Sequence, residues 1–248
     1  MTAPLLQACL NGSRLPGEHP ALPLSADELA ADAALAWAAG AHGVHVHPRG
    51  PDGVETLAPG ACAEAIAAIR AAAPAVEVSL STGAFIDPDV ESRIACIHAW
   101  TVLPETASVN FGEAGCERVC AALHQRGVAA EAGLSSVADA RRLLDSGQLR
   151  HCARILVEVA DPDPHEAVAH AERLEAVLEE AMVLLPRLHH GEGRATWAVV
   201  VAAARAGHHV RIGLEDTLEL PDGRPAAGNE AMVRAASELQ RRAARARR

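Results

Sequence analysis

Residues 26–47, ADELAADAALAWAAGAHGVHVH, contain in one stretch the unit that the rest of the chain repeats. An alanine-rich run with helical periodicity, roughly 26–39, meets a terse turn at Ala39-Gly40-Ala41-His42 and passes straight into a short strand, Gly43 to His47. Side chains alternate along a strand, so Val44 and Val46 point to one face and His45 and His47 to the other. The valines suit packing against helices, which leaves the histidines facing the inside of the sheet.

Working outward in both directions, the same alternation gives eight units. Strands are expected at roughly 4–10, 43–47, 76–80, 106–110, 128–132, 153–159, 183–188 and 210–214. Helices are expected at roughly 26–39, 61–72, 88–99, 114–125, 136–145, 164–181, 194–206 and 228–245. No linker, low-complexity tract or composition break interrupts the series. Eight strand-helix units predict an α/β fold of the (β/α)8 TIM-barrel type, one domain over 1–248. A doubly wound dinucleotide fold is a poor second, because no Gly-x-Gly-x-x-Gly follows the first strand. Aromatic residues make up only 2% of the chain, so Ala, Val, Leu and Ile must build the interior, as barrel layers allow.

The formal charge of −10 argues against nucleic acid and anionic membrane as partners, since phosphate backbones are held by clustered Lys and Arg. The arginine-dense tail, Arg241 to Arg248, reads as the solvated end of the last helix. The six cysteines form no C-x-x-C pair and read as buried thiols, Cys116 and Cys120 on one helix face included; a reducing cytoplasm is the default expectation. No basic start with an apolar core marks a secretory signal, and no apolar run approaches about 18 residues.

Loop length points to the working end. Helix-to-strand turns are short, whereas Asn11–Ser25, Pro48–Gly60 and Asp216–Gly228 follow strands one, two and eight. Barrel closure makes those strands neighbours, so the three long loops crowd one side of the C-terminal mouth. There His45 and His47 offer two imidazoles, and Arg211-Ile212-Gly213-Leu214-Glu215-Asp216 offers carboxylates at the same height. His45, His47 and Glu215 make a two-histidine, one-carboxylate set with positions left open, a catalytic metal pattern that suits zinc, with iron, manganese or cobalt as other candidates. Gly213 is expected to leave room above Arg211, and Asp216 to stay ionised as a general base. His189-His190 are expected to follow strand seven as reserve ligands or substrate contacts, while His42, His208 and His209 belong to the opposite, stability face. Ser81, Thr82 and Gly83 close strand three and Asn110 closes strand four, as substrate contacts.

Leu10-Asn11-Gly12-Ser13-Arg14, His19-Pro20-Ala21-Leu22-Pro23, Ala39-Gly40-Ala41 leading into His45-Val46-His47, and Arg211 to Asp216 with Asn229 together resemble the β-keto acid cleavage enzymes, the family of the 3-keto-5-aminohexanoate cleavage enzyme. The resemblance implies zinc on His45, His47 and Glu215, and a reaction of a β-keto acid with acetyl-CoA that yields acetoacetate and a new acyl-CoA. It implies that Asp216 and Arg211 assist deprotonation to an enolate, that Glu131 is the polar partner of the arginine, and that Asn11, Arg14 and Ser81 or Thr82 meet the substrate. A homo-oligomer, tetramer or dimer, is also implied. Arg14 stands where the lysine-fermentation member has an acidic residue, which favours an anionic or neutral substrate over an amine. The competing readings are another metal-dependent barrel lyase, aldolase or hydrolase that does not use CoA, and a metal-binding protein without turnover.

Overall fold

The computed structural model describes residues 4–247. Its elements are β1 (Leu6–Cys9), α1 (Ala26–Ala39), β2 (Gly43–Val46), α2 (Pro59–Ala72), β3 (Glu77–Ser81), α3 (Val90–Ala99), β4 (Thr106–Asn110) and α4 (Cys116–Gln125). They continue with β5 (Ala129–Leu134), α5 (Val137–Ser146), β6 (Cys152–Val159), α6 (Pro164–Glu180), β7 (Arg187–Gly191), α7 (Thr196–Ala206), β8 (His209–Ile212) and α8 (Asn229–Ala246). The eight strands are parallel and close into a barrel, β8 pairing with β1. This is the (β/α)8 architecture that the repeat predicts. Of the arginine tail, Arg241 and Arg242 pair with Glu238 on α8, and Arg248 lies outside the described residues.

Local chemistry sets the element ends. Ser25 caps α1, accepting from the Glu28 N–H while the Glu28 carboxylate returns to the Ser25 N–H, a reciprocal pair that stops the chain fraying there. Asp163 caps α6 ahead of Pro164, which costs nothing at a first helical position because that N–H would have no partner. Val44, Val46, Val78, Leu80, Ala130 and Ala132 face outward from the strands and join the apolar core under the helices. The opposite strand faces carry polar groups into the lumen, and that is where the site lies.

Strand seven differs from expectation. Val183-Leu184-Leu185 has the apolar look of a strand, yet Met182 takes a left-handed φ of 54° and Leu184 is 95% exposed. Pro186 has no N–H for the ladder, and pairing with β6 begins only at Ile155–Arg187. The shift moves His189 and His190 into the strand, on opposite faces, so they cannot act as a pair.

The long loops after β2 and β8 also have structure of their own. Each folds back at a Pro-Asp-Gly turn, Pro51-Asp52-Gly53 and Pro221-Asp222-Gly223, giving antiparallel bridges between Arg49 and Glu55 and between Glu219 and Pro225.

Candidate active site and metal centre

His45 ends up in the lumen because β2 is a buried strand with its valines under the helices, and His47 follows one step beyond the last strand residue. Their Nε2 atoms face each other at 3.2 Å, and His47 Nε2 is 3.7 Å from Glu215 Oε1. The three donor groups lie within 4.8 Å of one another. The other ring nitrogens are occupied. His45 Nδ1 is 3.1 Å from Ser79 Oγ, whose own hydroxyl donates to Glu131 Oε2 at 2.5 Å, and His47 Nδ1 meets Glu55. With Nδ1 as the protonated nitrogen of each ring, two Nε2 lone pairs point at one spot with no proton between them. Glu215 Oε2, also buried there, has no hydrogen-bond partner. Converging lone pairs and an orphaned carboxylate oxygen fit a bound cation, and carboxylates behind the imidazoles are the arrangement that orients metal-binding histidines. Burial, with Arg211 and His47 nearby, holds His45 well below the usual imidazole range, keeping its lone pair available.

Glu215 is seated by the first and last motifs acting together. β8 ends at Ile212, and the chain turns so that Asp216 N–H and Thr217 N–H both donate to Gly213 O. A Cβ on Gly213 would lie 1.8 Å from the Cys9 carbonyl oxygen, so this glycine is demanded by the contact with β1 and not, as expected, by space above Arg211. Gly12, at φ +53°, is likewise the residue whose absent Cβ leaves room for the Glu215 side chain, 2.3 Å from its Cγ. Asn229 ties these turns, accepting from Leu214 N–H at 2.7 Å and donating to Leu10 O at 2.8 Å.

Next to the metal donors, Arg211 pairs with Glu215. Asp216 accepts from the Cys9 thiol at 2.8 Å and from His190 Nδ1 at 3.0 Å, and His190 Nε2 reaches Glu158 at 3.2 Å. Burial and Arg211 push His190 toward neutrality, but Asp216 by charge and hydrogen bond, with Glu158, outweighs them and raises its pKa to about 9. Burial would raise Asp216; the His190 charge and hydrogen bond, then Arg211, hold it below the usual carboxylate range, so it is ionised at neutral pH. Burial and Asp216 keep Cys9 a thiol.

These groups line a cavity of about 470 Å³ at the mouth. Of the sequence-derived site residues, His45, His47, Glu215, Asp216, Arg211, Arg14, Ser81 and Asn110 line it. Four do not. Glu131 is fully buried beneath, held by Gln7 and Ser79 with Arg154 3.4 Å away; it is a partner of the His45–Ser79 pair and not of Arg211. Asn11 clamps the backbone N–H and C=O of His47, both its amide groups being used. Thr82 donates to Ser108 O, and Gly83 sits behind Ser81. Arg14 is tied to Leu214 O and to Glu18, so its charge is already paired. His189 points to the helix layer, away from the cavity that His190 lines. Sequence reasoning missed Glu55, Glu158 and Cys9; the Pro51-Asp52-Gly53 turn was the signal that could have found Glu55, because it folds the loop back beside His47.

Residues 5–247 match the family model of the beta-keto acid cleavage enzyme. A 3-keto-5-aminohexanoate cleavage enzyme of Fusobacterium nucleatum is 26% identical, over 96% of this chain and 92% of its own. Among solved structures, apo ObcA superposes with a TM-score of 0.73 at 17% identity, over 92% of this chain and 65% of that one. A ternary complex of ObcA with a C4-CoA adduct and oxalate gives 0.72 at 18% identity, over 88% and 63%. This chain thus spans about two thirds of the ObcA length, and at that identity the likeness is one of fold. No helix among the described residues is long and apolar enough to cross a membrane. By its match along nearly the whole sequence, the chain belongs to the β-keto acid cleavage enzyme family.

Proposed function

We propose that the protein is a zinc-dependent enzyme that exchanges acyl groups between a β-keto acid and acetyl-CoA, releasing acetoacetate and a new acyl-CoA. The observation that carries this reading is the meeting of His45 Nε2, His47 Nε2 and the Glu215 carboxylate, one of whose oxygens has no partner, next in sequence to Asp216. His45, His47 and Glu215 would hold the zinc, which would supply Lewis acidity toward the substrate. Asp216, ionised and steadied by His190 and Cys9, accepts a proton from the carbon between the two carbonyl groups. Arg211 lies beside Glu215, where it can face the oxyanion that develops as that proton leaves. The resulting carbanion attacks the acetyl thioester carbon and CoA thiolate departs. That thiolate then adds to the original keto carbon, and the retro-Claisen cleavage gives acyl-CoA and, after the proton returns, acetoacetate.

Charge supports an anionic substrate. In the hydrogen-bonded cluster of Arg211, Glu215, Asp216, His190 and Glu158, two cations face three carboxylates. Glu192 on the same cavity wall adds a further carboxylate, and a divalent ion offsets this excess so that an anionic substrate can approach. The CoA adduct named in the ObcA complex supports a thioester co-substrate. Free cysteines fit a reducing compartment, and the assembly is proposed to be a homo-oligomer.

The test is metal content by mass spectrometry on protein purified without a metal-affinity tag, for wild type, His45→Ala and Glu215→Ala. Zinc bound by the wild type is expected to fall by about one per chain in both variants, and the wild type to form acetoacetate from a β-keto acid panel only when acetyl-CoA is present. Zinc unaffected by both substitutions would remove the metal assignment. Cleavage without acetyl-CoA would place the protein among aldolase-like lyases on the same barrel.

A further inference from the structure

On the outer face of β7, away from the lumen, a second set of metal-competent donors converges. His189 points outward, Glu175 reaches down from α6, and His208 comes from the α7–β8 turn. His189 Nε2 is 2.8 Å from Glu175 Oε1, and His208 Nε2 is 4.0 Å from the same oxygen. The two imidazoles lie nearly parallel, with centroids 4.7 Å apart and planes 17° from coincidence. All three donor atoms fall within 4.8 Å of one another.

A hydrogen bond between Glu175 and His189 would by itself satisfy one oxygen and one nitrogen. It does not use His208, whose ring nitrogen faces the same oxygen from outside hydrogen-bonding reach. Atoms bound to one tetrahedral zinc stand roughly 3.3 Å apart, so the donors are within range of one ion, and one imidazole must turn out of the parallel pair for both Nε2 lone pairs to meet it. Arg187 Nε lies 3.3 Å from the other oxygen, Glu175 Oε2, an ion-pair contact without a hydrogen bond that leaves Oε1 to the ligand. The arginine's positive charge lowers cation affinity, and Glu172 and Glu179, one turn either side of Glu175 on α6, offset it. The cluster opens onto a groove of about 320 Å³ between α6 and α7, lined otherwise by alanine and valine, which gives an ion a route in and a place for completing water.

We infer that Glu175, His189 and His208 form a second zinc-class divalent metal site, outside the barrel, that staples α6 to β7 and the α7–β8 turn. It takes no part in the reaction at the mouth. Its consequence is stability, since an ion bound only by the folded state raises Tm with concentration.

The experiment is a zinc titration of chelator-treated full-length protein, with bound metal counted by mass spectrometry after desalting. Wild type is expected to hold two equivalents, and His208→Ala and His45→Ala one each. The zinc-induced rise in Tm beyond the first equivalent should vanish in His208→Ala, with turnover retained. Should His208→Ala lose its far-UV circular dichroism, His208→Gln keeps the side-chain volume and replaces it. One equivalent in the wild type that disappears in His45→Ala, two equivalents retained in the folded His208 variant, or no bound zinc would each overturn the proposal. One equivalent that survives His45→Ala but is lost with His208 would uphold it and instead remove the metal assignment at the mouth.

Discussion

The mouth of the barrel has two unlike sides. The β8–β1–β2 side carries the long loops and supplies Arg211, Glu215, Asp216, His45 and His47. The β3–β4 side has shorter strand-to-helix loops and offers the cavity uncharged groups, Ser81, Ser108, Asn110 and the ring of Phe85, which stacks on His47. The first side is held together by unusual contacts: two glycines whose Cβ atoms would collide with backbone or with Glu215, and Asn229 bridging both turns. The second also has such a glycine, Gly83, whose Cβ would lie 2.2 Å from the Phe85 ring. The difference teaches that in the proposed reaction bond-making chemistry is concentrated where three loops must fold before any of it exists, while the facing side would accommodate the rest of a substrate.

If this division is real, the largest effect should come from the base on the elaborated side. Asp216→Asn keeps the acceptor for Cys9 or His190 but removes the charge, and is expected to cut kcat by about 10²–10⁴-fold with zinc content retained. Steady-state kinetics paired with metal analysis checks it. Activity within threefold of wild type would break the comparison, because the charged side would then not be the reacting one. Smaller is the expected effect of Glu131→Gln, which would reach the proposed zinc through Ser79 and His45. Weakening that relay is expected to lower zinc affinity about 10–100-fold, read by chelator competition, with Km for the keto acid little changed once zinc saturates. An unchanged affinity would show that Glu131 merely fills the lumen.

Much of this was legible in the sequence. The alternation of valine and histidine in 43–47 settles which side chains face inward, and helix periodicity places the eight units, because both depend on neighbours a few residues apart. Strand seven was misplaced because Val183-Leu184-Leu185 is as apolar as a strand; only pairing with β6 shows that the ladder starts after Pro186. That one shift decided the roles of His189 and His190. The supporting residues were harder still. Cys9, Glu158 and Glu131 acquire partners 207, 32 and 52 positions away, and no local pattern marks such contacts. The space that Gly213 keeps open belongs to the Cys9 carbonyl and not to a ligand above Arg211, a contact between strands that no local pattern shows.

The elaborated side also carries a cost that can be measured. Asp32 on α1 is packed behind it, accepting from Asn229 Nδ2 at 2.6 Å, and burial raises its pKa to about 6 despite that hydrogen bond. A carboxyl whose folded pKa exceeds its unfolded value near 3.8 holds its proton longer in the folded state. Stability therefore falls as pH rises from about 4 to 6 and stays lower above that, the reverse of an acid in a salt bridge. Asp32→Asn retains an oxygen for Asn229 and cannot ionise. It is expected to raise unfolding free energy at pH 7.5 by about 1–2 kcal/mol, a shift of roughly two pKa units discounted for partial exposure, and to change little at pH 4. Urea unfolding at the two pH values tests this, with the difference between them as the readout. An equal gain at both would mean that the amide improves packing or hydrogen bonding regardless of charge, and the strain assigned to the elaborated side would have to be sought elsewhere.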